Sequence, residues 1–291
     1  SGIARVLLQR GYKISGSDLQ CNSVTQNLKE LGIEIYTGHS SSNIKEGVDL
    51  LVISSAIPEN NPEVKLARDR NIPVMKRGRM LANLVNDMQG IAVAGAHGKT
   101  TTTSMLYMVL NNCDIDPTFI IGGELQNSDV NARLGKSEYA VVEADESDAS
   151  FLEINPYIAI VTNIEDDHLD YYKTFDNLRN AFITYINGVK PGGFALVYGE
   201  DDCIKSIIKE VHTRVIAYGE DTGNDYYMTN WKPVGMGSSW DAFHNGKHIG
   251  RFELSVPGKH NALNALANIA IAVELGLIIR IYRNVYHYEK H

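Results

Sequence analysis

Val93-Ala94-Gly95-Ala96-His97-Gly98-Lys99-Thr100-Thr101 follows the apolar pair Ile91-Ala92 and opens a threonine-rich run. An apolar strand therefore passes through a tight, glycine-containing turn into a helix. The stretch reads as a phosphate-binding loop. Glycines let the backbone approach phosphate oxygens, a lysine reaches the β and γ phosphates, and a hydroxyl is free for Mg²⁺. Gly95, Ala96, His97 and Gly98 would form the loop, with Lys99, Thr100 and Thr101 at the helix start. The spacing is a GxxGKT variant opened by Gly95, because Val93 stands where the longer GxxxxGKT pattern has its first glycine. A plain strand-to-helix turn with a surface lysine is the competing reading, and the order strand, loop, Lys-Thr, helix speaks against it.

Downstream, Tyr139 to Ala144 reads as a strand that ends in the acidic cluster Glu143-Ala144-Asp145-Glu146-Ser147-Asp148. A carboxylate at such a strand end can hold Mg²⁺ directly or through water, and Glu143 is the candidate; a solvated acidic loop is the alternative. Tyr157 to Ile164 forms a further strand opening into Glu165-Asp166-Asp167-His168-Leu169-Asp170. Parallel strand ends converge on one crevice, so His168 is either a metal ligand or an ordinary surface or core histidine. Strands are also expected at Phe194 to Tyr198 and Arg214 to Tyr218, in a doubly wound pattern. From Asp225 to Val256 the rhythm turns to strand and turn, with Asn245-Gly246 as a hairpin signal, and predicts a small antiparallel sheet. A helix over Asn261 to Leu275 follows. His260, Asn261 and Asn264 stand at its start, where amides can read an adenine edge or simply cap the helix.

Upstream, Ala4-Arg5-Val6-Leu7-Leu8, Tyr12 to Asp18 and Val48 to Ser55 open a rhythm of short apolar strands and amphipathic stretches, although Ser1 also looks to lie inside a first helix. Ile72 to Met75 reads as a strand and Gly78 to Met88 as a helix, with a boundary near Gln89-Gly90. Asp18 ends a strand where α/β folds place an acid against a ribose or base, or it forms a turn. Ser54 and Ser55 open a polar loop that runs to Asn60-Asn61-Pro62-Glu63, with a simple turn as the alternative. The expected architecture is α/β. A Rossmann-like unit over residues 1–88, its first strand missing, precedes a phosphate-loop, doubly wound unit over 89–277, and residues 278–291 form an atypical tail.

Composition narrows the functions. The 291 residues carry 27 Lys+Arg against 35 Asp+Glu, a net charge of −8, which argues against nucleic acid as a partner. Apolar runs stop short of the roughly 18 residues of a membrane span, and no export signal opens the chain. Cys21, Cys113 and Cys203 have neither disulfide nor zinc spacing. These features predict a soluble protein of the reducing cytoplasm.

Taken together, Gly95 to Thr103, Glu143 to Asp148, Thr162 to Asp170 and His260-Asn261-Ala262-Leu263-Asn264-Ala265 resemble the Mur ligase family. Ser15-Gly16-Ser17-Asp18 and Ser54-Ser55-Ala56-Ile57-Pro58 carry the likeness into the first unit, so it spans residues 1 to about 277. Asp145 to Phe151 is similar to the alanine-adding branch rather than the branch that attaches a recycled tripeptide. The resemblance implies ATP-dependent joining of L-alanine to the lactyl carboxylate of UDP-N-acetylmuramate in peptidoglycan synthesis. It implies Lys99 on the β and γ phosphates, Thr100 and Glu143 on one Mg²⁺, and His168 on a second Mg²⁺ near the acyl site. His260, Asn261 and Asn264 would flank the adenine, and Asp18, Ser54, Ser55, Asp145 and Ser147 would face the UDP-sugar substrate. Two departures stand out. The family's opening strand with its glycine-rich loop is missing, and Ile278 to His291 does not look like the family's third domain, so the chain reads as truncated at both ends. A chain that holds Mg-ATP or the UDP-sugar without ligating is the alternative; a folate polyglutamylating enzyme is disfavoured by Asp18 and the Ser54 loop.

Overall fold

The computed structural model describes residues 2–122 and 131–277. The tail expected at 278–291 lies outside the described residues. Among them, no helix is long and apolar enough to cross a membrane.

The first part runs α1 (Gly2–Gln9), β1 (Ser15–Asp18), α2 (Ser23–Glu30), β2 (Glu34–Thr37), β3 (Leu51–Ile53), α3 (Pro62–Asp69), β4 (Val74–Lys76) and α4 (Arg77–Asn86). β1 pairs in parallel with β2, and β3 with β4, as two separate two-stranded sheets. Ala4 to Leu8, counted among the short apolar strands in the sequence, is instead helical. Ile3 and Val6 fall on one face of α1 and are buried with Leu84 and Ala132, a three-residue rather than a two-residue spacing. α1 thereby packs beside α4, and Gln9 Oε1 accepts the Leu134 N–H at 2.7 Å.

The second part continues with β5 (Gln89–Ala94), α5 (Lys99–Asn112), β6 (Thr118–Ile120), β7 (Ala132–Arg133), β8 (Tyr139–Glu143), β9 (Ile158–Val161), α6 (Leu169–Tyr172), α7 (Phe175–Asn187), β10 (Phe194–Tyr198), α8 (Asp202–Ile207), β11 (Val215–Gly219), β12 (Tyr226–Val234), β13 (Gly237–His244), β14 (Lys247–Leu254) and α9 (Lys259–Glu274). Its described strands make one sheet in the order β14-β13-β12-β11-β10-β9-β5-β8-β6-β7. Pairing is parallel from β12 through β6 and antiparallel at β7 and within β12-β13-β14. The expected small antiparallel sheet is therefore not separate. It extends the central sheet, because Tyr218 and Gly219 at the end of β11 pair in parallel with Tyr226 and Tyr227.

Both faces of the sheet are covered, which is why its central strands read as unbroken apolar runs. Ile91, Val93, Val141, Ile158 and Ile160 point to one face, against Leu106 and Leu110 of α5 and Leu266 and Ile269 of α9. Ala92, Ala94, Val142, Ala159 and Val161 point to the other, against Phe182, Tyr185 and Ile186 of α7 and Phe151. From β5 the chain moves to β6 and β8 on one side, then crosses to β9, β10 and β11 on the other. The crevice above the carboxyl end of β5 is the switch point where open α/β sheets bind ligands.

Candidate active site

At that switch point the backbone does what only glycine allows. Gly95 has φ +130°, and a Cβ there would meet Thr162 Oγ1 at 2.3 Å and the Asn163 carbonyl oxygen at 2.9 Å. Gly98, at φ +83°, caps α5 without a side-chain hydrogen bond, so the first-turn N–H groups and the positive end of the helix are left for an anion. The loop is shaped from β9. Thr162 Oγ1 donates to the His97 carbonyl oxygen at 2.6 Å, Asn163 Nδ2 donates to the same oxygen at 3.1 Å, and Asn163 Oδ1 accepts the His97 N–H at 2.9 Å. Ala96 is half-buried, while the imidazole of His97 and the Thr100 side chain face solvent.

Lys99 folds back over this loop. Its Nζ donates to the Gly95 carbonyl oxygen at 2.6 Å and to Glu146 Oε1 at 2.5 Å. The Glu146 side chain is 3% exposed, and its Oε2 is buried without a partner among the described residues. His168 reaches the same carboxylate, with Nε2 3.8 Å from Glu146 Oε1 and 3.6 Å from Asp167 Oδ2. His168 sits at φ +59°, a left-handed conformation uncommon for a non-glycine residue. Below it, the Tyr172 hydroxyl donates to the Glu146 carbonyl oxygen at 2.6 Å. Burial, then the charge of Glu146, pushes that phenol far up, so it remains a donor. Glu146 was not singled out in the sequence, where it is one acid among several; its burial beside a lysine distinguishes it.

Glu143, at the end of β8, accepts the Gly122 N–H on Oε1 at 2.8 Å, which leaves Oε2 for a ligand. Asp145 Oδ1 accepts the Ser147 N–H at 3.0 Å, and Arg77 stands 3.8 Å from Oδ2. Burial opposes ionisation of Asp145, yet the Ser147 hydrogen bonds and the charges of Lys99 and Arg77 outweigh it and hold its pKa below the ordinary value. A carboxyl with a lowered folded-state pKa adds stability above its unfolded value, about 3.9, that is lost as pH falls through the folded one. Asp145→Asn should therefore flatten the acid limb of the stability curve below about pH 4, as read by urea unfolding at stepped pH; an unaltered limb would contradict the assignment. Ser147 and residues 166–171, His168 among them, line an open cleft of about 320 Å³ beside this group.

On the α9 side, the structure separates the three predicted residues. Asn264 is buried against the loop, its Oδ1 3.1 Å from where a Cβ on Gly98 would stand. Asn261 instead bonds backwards to the Pro257 carbonyl oxygen at 2.6 Å, and His260 is exposed. Asn268, unmarked in the sequence, ties α9 to α5 through the Thr102 carbonyl oxygen at 3.2 Å. In the first part, Asp18 Oδ1 accepts the Gln20 N–H at 3.0 Å, a turn contact, and Ser54 and Ser55 are exposed after β3.

Thr100 and Glu143 offer hard oxygen donors with capacity to spare. Among the described residues, no group of three or more His, Cys, Asp and Glu side chains could hold a metal unaided. Mg²⁺ characteristically takes one or two protein oxygens and completes its shell with water and substrate phosphates, so this donor set fits it.

Known proteins bear directly on this geometry. Residues 93–272 match the model of the Mur ligase middle domain, and residues 1–89 match that of the Mur ligase family catalytic domain. The chain is 61% identical over 280 residues to a UDP-N-acetylmuramate--L-alanine ligase of Syntrophomonas wolfei, covering 95% of this chain and 60% of that one. A ligase of the same name from Geotalea uraniireducens is 48% identical over 277 residues, with the same coverage. The chain thus spans about 60% of the length of these relatives. Among solved structures, UDP-N-acetylmuramate:L-alanyl-gamma-D-glutamyl-meso-diaminopimelate ligase of Neisseria meningitides superposes with TM-score 0.88 at 28% identity, over 100% of this chain and 94% of that one. The UDP-N-acetylmuramate-alanine ligase of Thermotoga maritima gives 0.85 at 28%, over 96% and 64%.

Proposed function

The chain belongs to the Mur ligase family, and on that footing we propose that it joins L-alanine to the lactyl carboxylate of UDP-N-acetylmuramate at the expense of ATP, in the cytoplasmic stage of peptidoglycan synthesis. The Lys99 loop above β5, with Glu143 and His168 at neighbouring strand ends, is the observation that carries the chemistry. The 61% identity to an alanine ligase favours alanine over the tripeptide that the Neisseria relative's name specifies. We read residues 1–88, which contain the β1-β2 and β3-β4 pairs, as a Rossmann-like UDP-sugar unit, and 89–277 as a phosphate-loop ATP unit.

A carboxylate resists attack by an amine because its leaving group would be oxide. In the proposed reaction a carboxylate oxygen attacks the γ phosphorus and ADP departs, leaving an acyl phosphate. The amine of L-alanine then adds to the acyl carbon, and the tetrahedral intermediate expels phosphate to give the amide. Lys99, released from Glu146 by the incoming phosphates, would neutralise charge gathering on the transferred oxygens, together with the first-turn N–H groups of α5. Asn264 and the exposed His260 would face the adenine, and Asn261 would join them once released from the Pro257 carbonyl oxygen. Thr100 and Glu143 would hold one Mg²⁺ and His168 a second near the acyl site, which would supply further charge neutralisation at the phosphates.

ADP release that requires both UDP-N-acetylmuramate and L-alanine is the expected result. Mg-ATP binding without such release would favour a chain that holds nucleotide and does not ligate. His168→Ala should lower the rate and raise the Mg²⁺ concentration for half-maximal rate roughly tenfold or more; an unaltered Mg²⁺ dependence would leave His168 a structural residue.

A further inference from the structure

Outside the phosphate-loop site, a second buried carboxylate joins three segments of the first part. Glu63, in the first turn of α3, is 7% exposed, and its N–H donates to the capping Asn61 Oδ1 at 2.9 Å. Its Oε1 accepts Asn43 Nδ2 at 2.7 Å and the Ser40 N–H at 3.3 Å, while Oε2 accepts the Ser17 hydroxyl at 2.8 Å. Three neutral donors and the helix N-terminus are what a buried carboxylate requires. Ser17 also lies 3.0 Å from His39 Nδ1, which itself is 3.7 Å from Glu63 Oε1.

The direction of this chain of bonds follows from proton counting. A serine hydroxyl has one proton, and Ser17 gives it to Glu63. Toward His39 it can offer only a lone pair, so Nδ1 must carry the ring proton. The His39 side chain is 17% exposed, and its Nε2 has no bond among the described residues and is not among the buried unpartnered atoms, so it reaches solvent. His39 follows the carboxyl end of β2, beside that of β1, the edge at which parallel strands present ligand groups.

We infer that Glu63, acting through Ser17, is a positioning residue that fixes His39 as the Nδ1–H tautomer and presents Nε2 as a hydrogen-bond acceptor to an N–H or O–H donor of the bound ligand. That the ligand is the UDP-sugar rests on the reading of the first part proposed above; the relay itself does not.

Nitrogen-15 spectra of the full chain's imidazoles, with the His39 signals assigned by their loss in His39→Gln, test the relay in the neutral limb of a pH titration. The native protein should show Nδ1 protonated and Nε2 bare. In Glu63→Gln the amide oxygen can stay on Asn43 and Ser40, so its NH₂ group faces Ser17. Ser17 must then accept from the amide and donate to His39, and the ring should invert to the Nε2–H tautomer. Two donors would then face each other across the ligand, and calorimetric affinity for UDP-N-acetylmuramate should fall roughly ten- to a hundredfold. Ser17→Ala, which leaves Glu63 its other partners, should give mixed tautomers and a smaller loss, and adding Glu63→Gln to it should not shift the tautomer further. A native Nε2–H ring, an Nδ1–H ring that persists in Glu63→Gln, or inversion without loss of affinity would overturn the inference. Correct tautomers in a native chain that does not bind the UDP-sugar would uphold the relay and remove the UDP-sugar reading instead.

Discussion

Lys99→Ala should reduce ATP-dependent turnover roughly 10²–10³-fold, the usual effect of removing one preorganised charge from a site of developing negative charge. It should also destabilise the fold. Glu146 is 3% exposed, and Lys99 is the cation bonded to it, so deletion leaves a buried carboxylate with only His168, 3.8 Å away, for compensation among the described residues. The cost is about 3 kcal/mol, the low end for a broken buried pair because the Lys99 side chain keeps 20% of its surface exposed. Adding Glu146→Gln separates the two effects. The neutral amide no longer needs a counter-ion, so urea unfolding should recover most of the lost stability, whereas turnover should stay low because the phosphate charge is still unmet. A Lys99→Ala protein with near-native turnover would remove the phosphate-loop assignment. A double variant no more stable than the single one would remove the Lys99–Glu146 pair as the cause.

Much of this site was readable because it lies where local and global signals coincide. β5, β8 and β9 are buried on both faces, so they appear as continuous apolar runs, and the residues just past them are fixed by chain connectivity alone. That is why Gly95, Gly98, Lys99, Glu143 and His168 could be picked out. Glu146 could not, because beyond Glu143 the chain leaves the pleat and no periodicity says which of Asp145, Glu146 and Asp148 turns inward; Lys99, 47 residues earlier, settles it through its bond to the Glu146 carboxylate. Glu63 was hidden similarly. Asn60-Asn61-Pro62-Glu63 read as a polar turn, although Asn61 as N-cap and Pro62 just inside α3 are a helix-start signal, and the burial of Glu63 depends on Ser17 and Asn43 from other segments. β6 and β7, three and two residues long, are too short to carry a pattern, and the merging of the hairpins with the main sheet rests on two residue pairs at the end of β11.

Gly95→Ala should be the most damaging single-methyl change in the molecule's site. At φ +130° an alanine is strained by roughly 1–3 kcal/mol wherever it stands, and overpacking adds roughly 1–3 kcal/mol more. Here the Cβ would enter between Thr162 Oγ1 at 2.3 Å and the Asn163 backbone at 2.9 and 3.0 Å. Those two residues hold the His97 peptide in place, so any shift that relieves the clash also unclamps the loop. Urea unfolding should register a loss of roughly 2–6 kcal/mol, and Mg-ATP binding should become unmeasurable by calorimetry. Gly98→Ala offers the contrast. The three atoms nearest its Cβ would all belong to the Asn264 side chain, the first at 3.1 Å, so backbone strain dominates and the loss should be smaller, about 1–3 kcal/mol. Thr162→Ala in the Gly95→Ala background removes the nearest atom but leaves the Asn163 backbone in the way and deletes a clamp, so it should rescue stability only in part and nucleotide binding not at all. Full rescue, or a Gly95→Ala chain as stable as the native one, would mean that the loop relaxes elsewhere and that β9 does not set its shape.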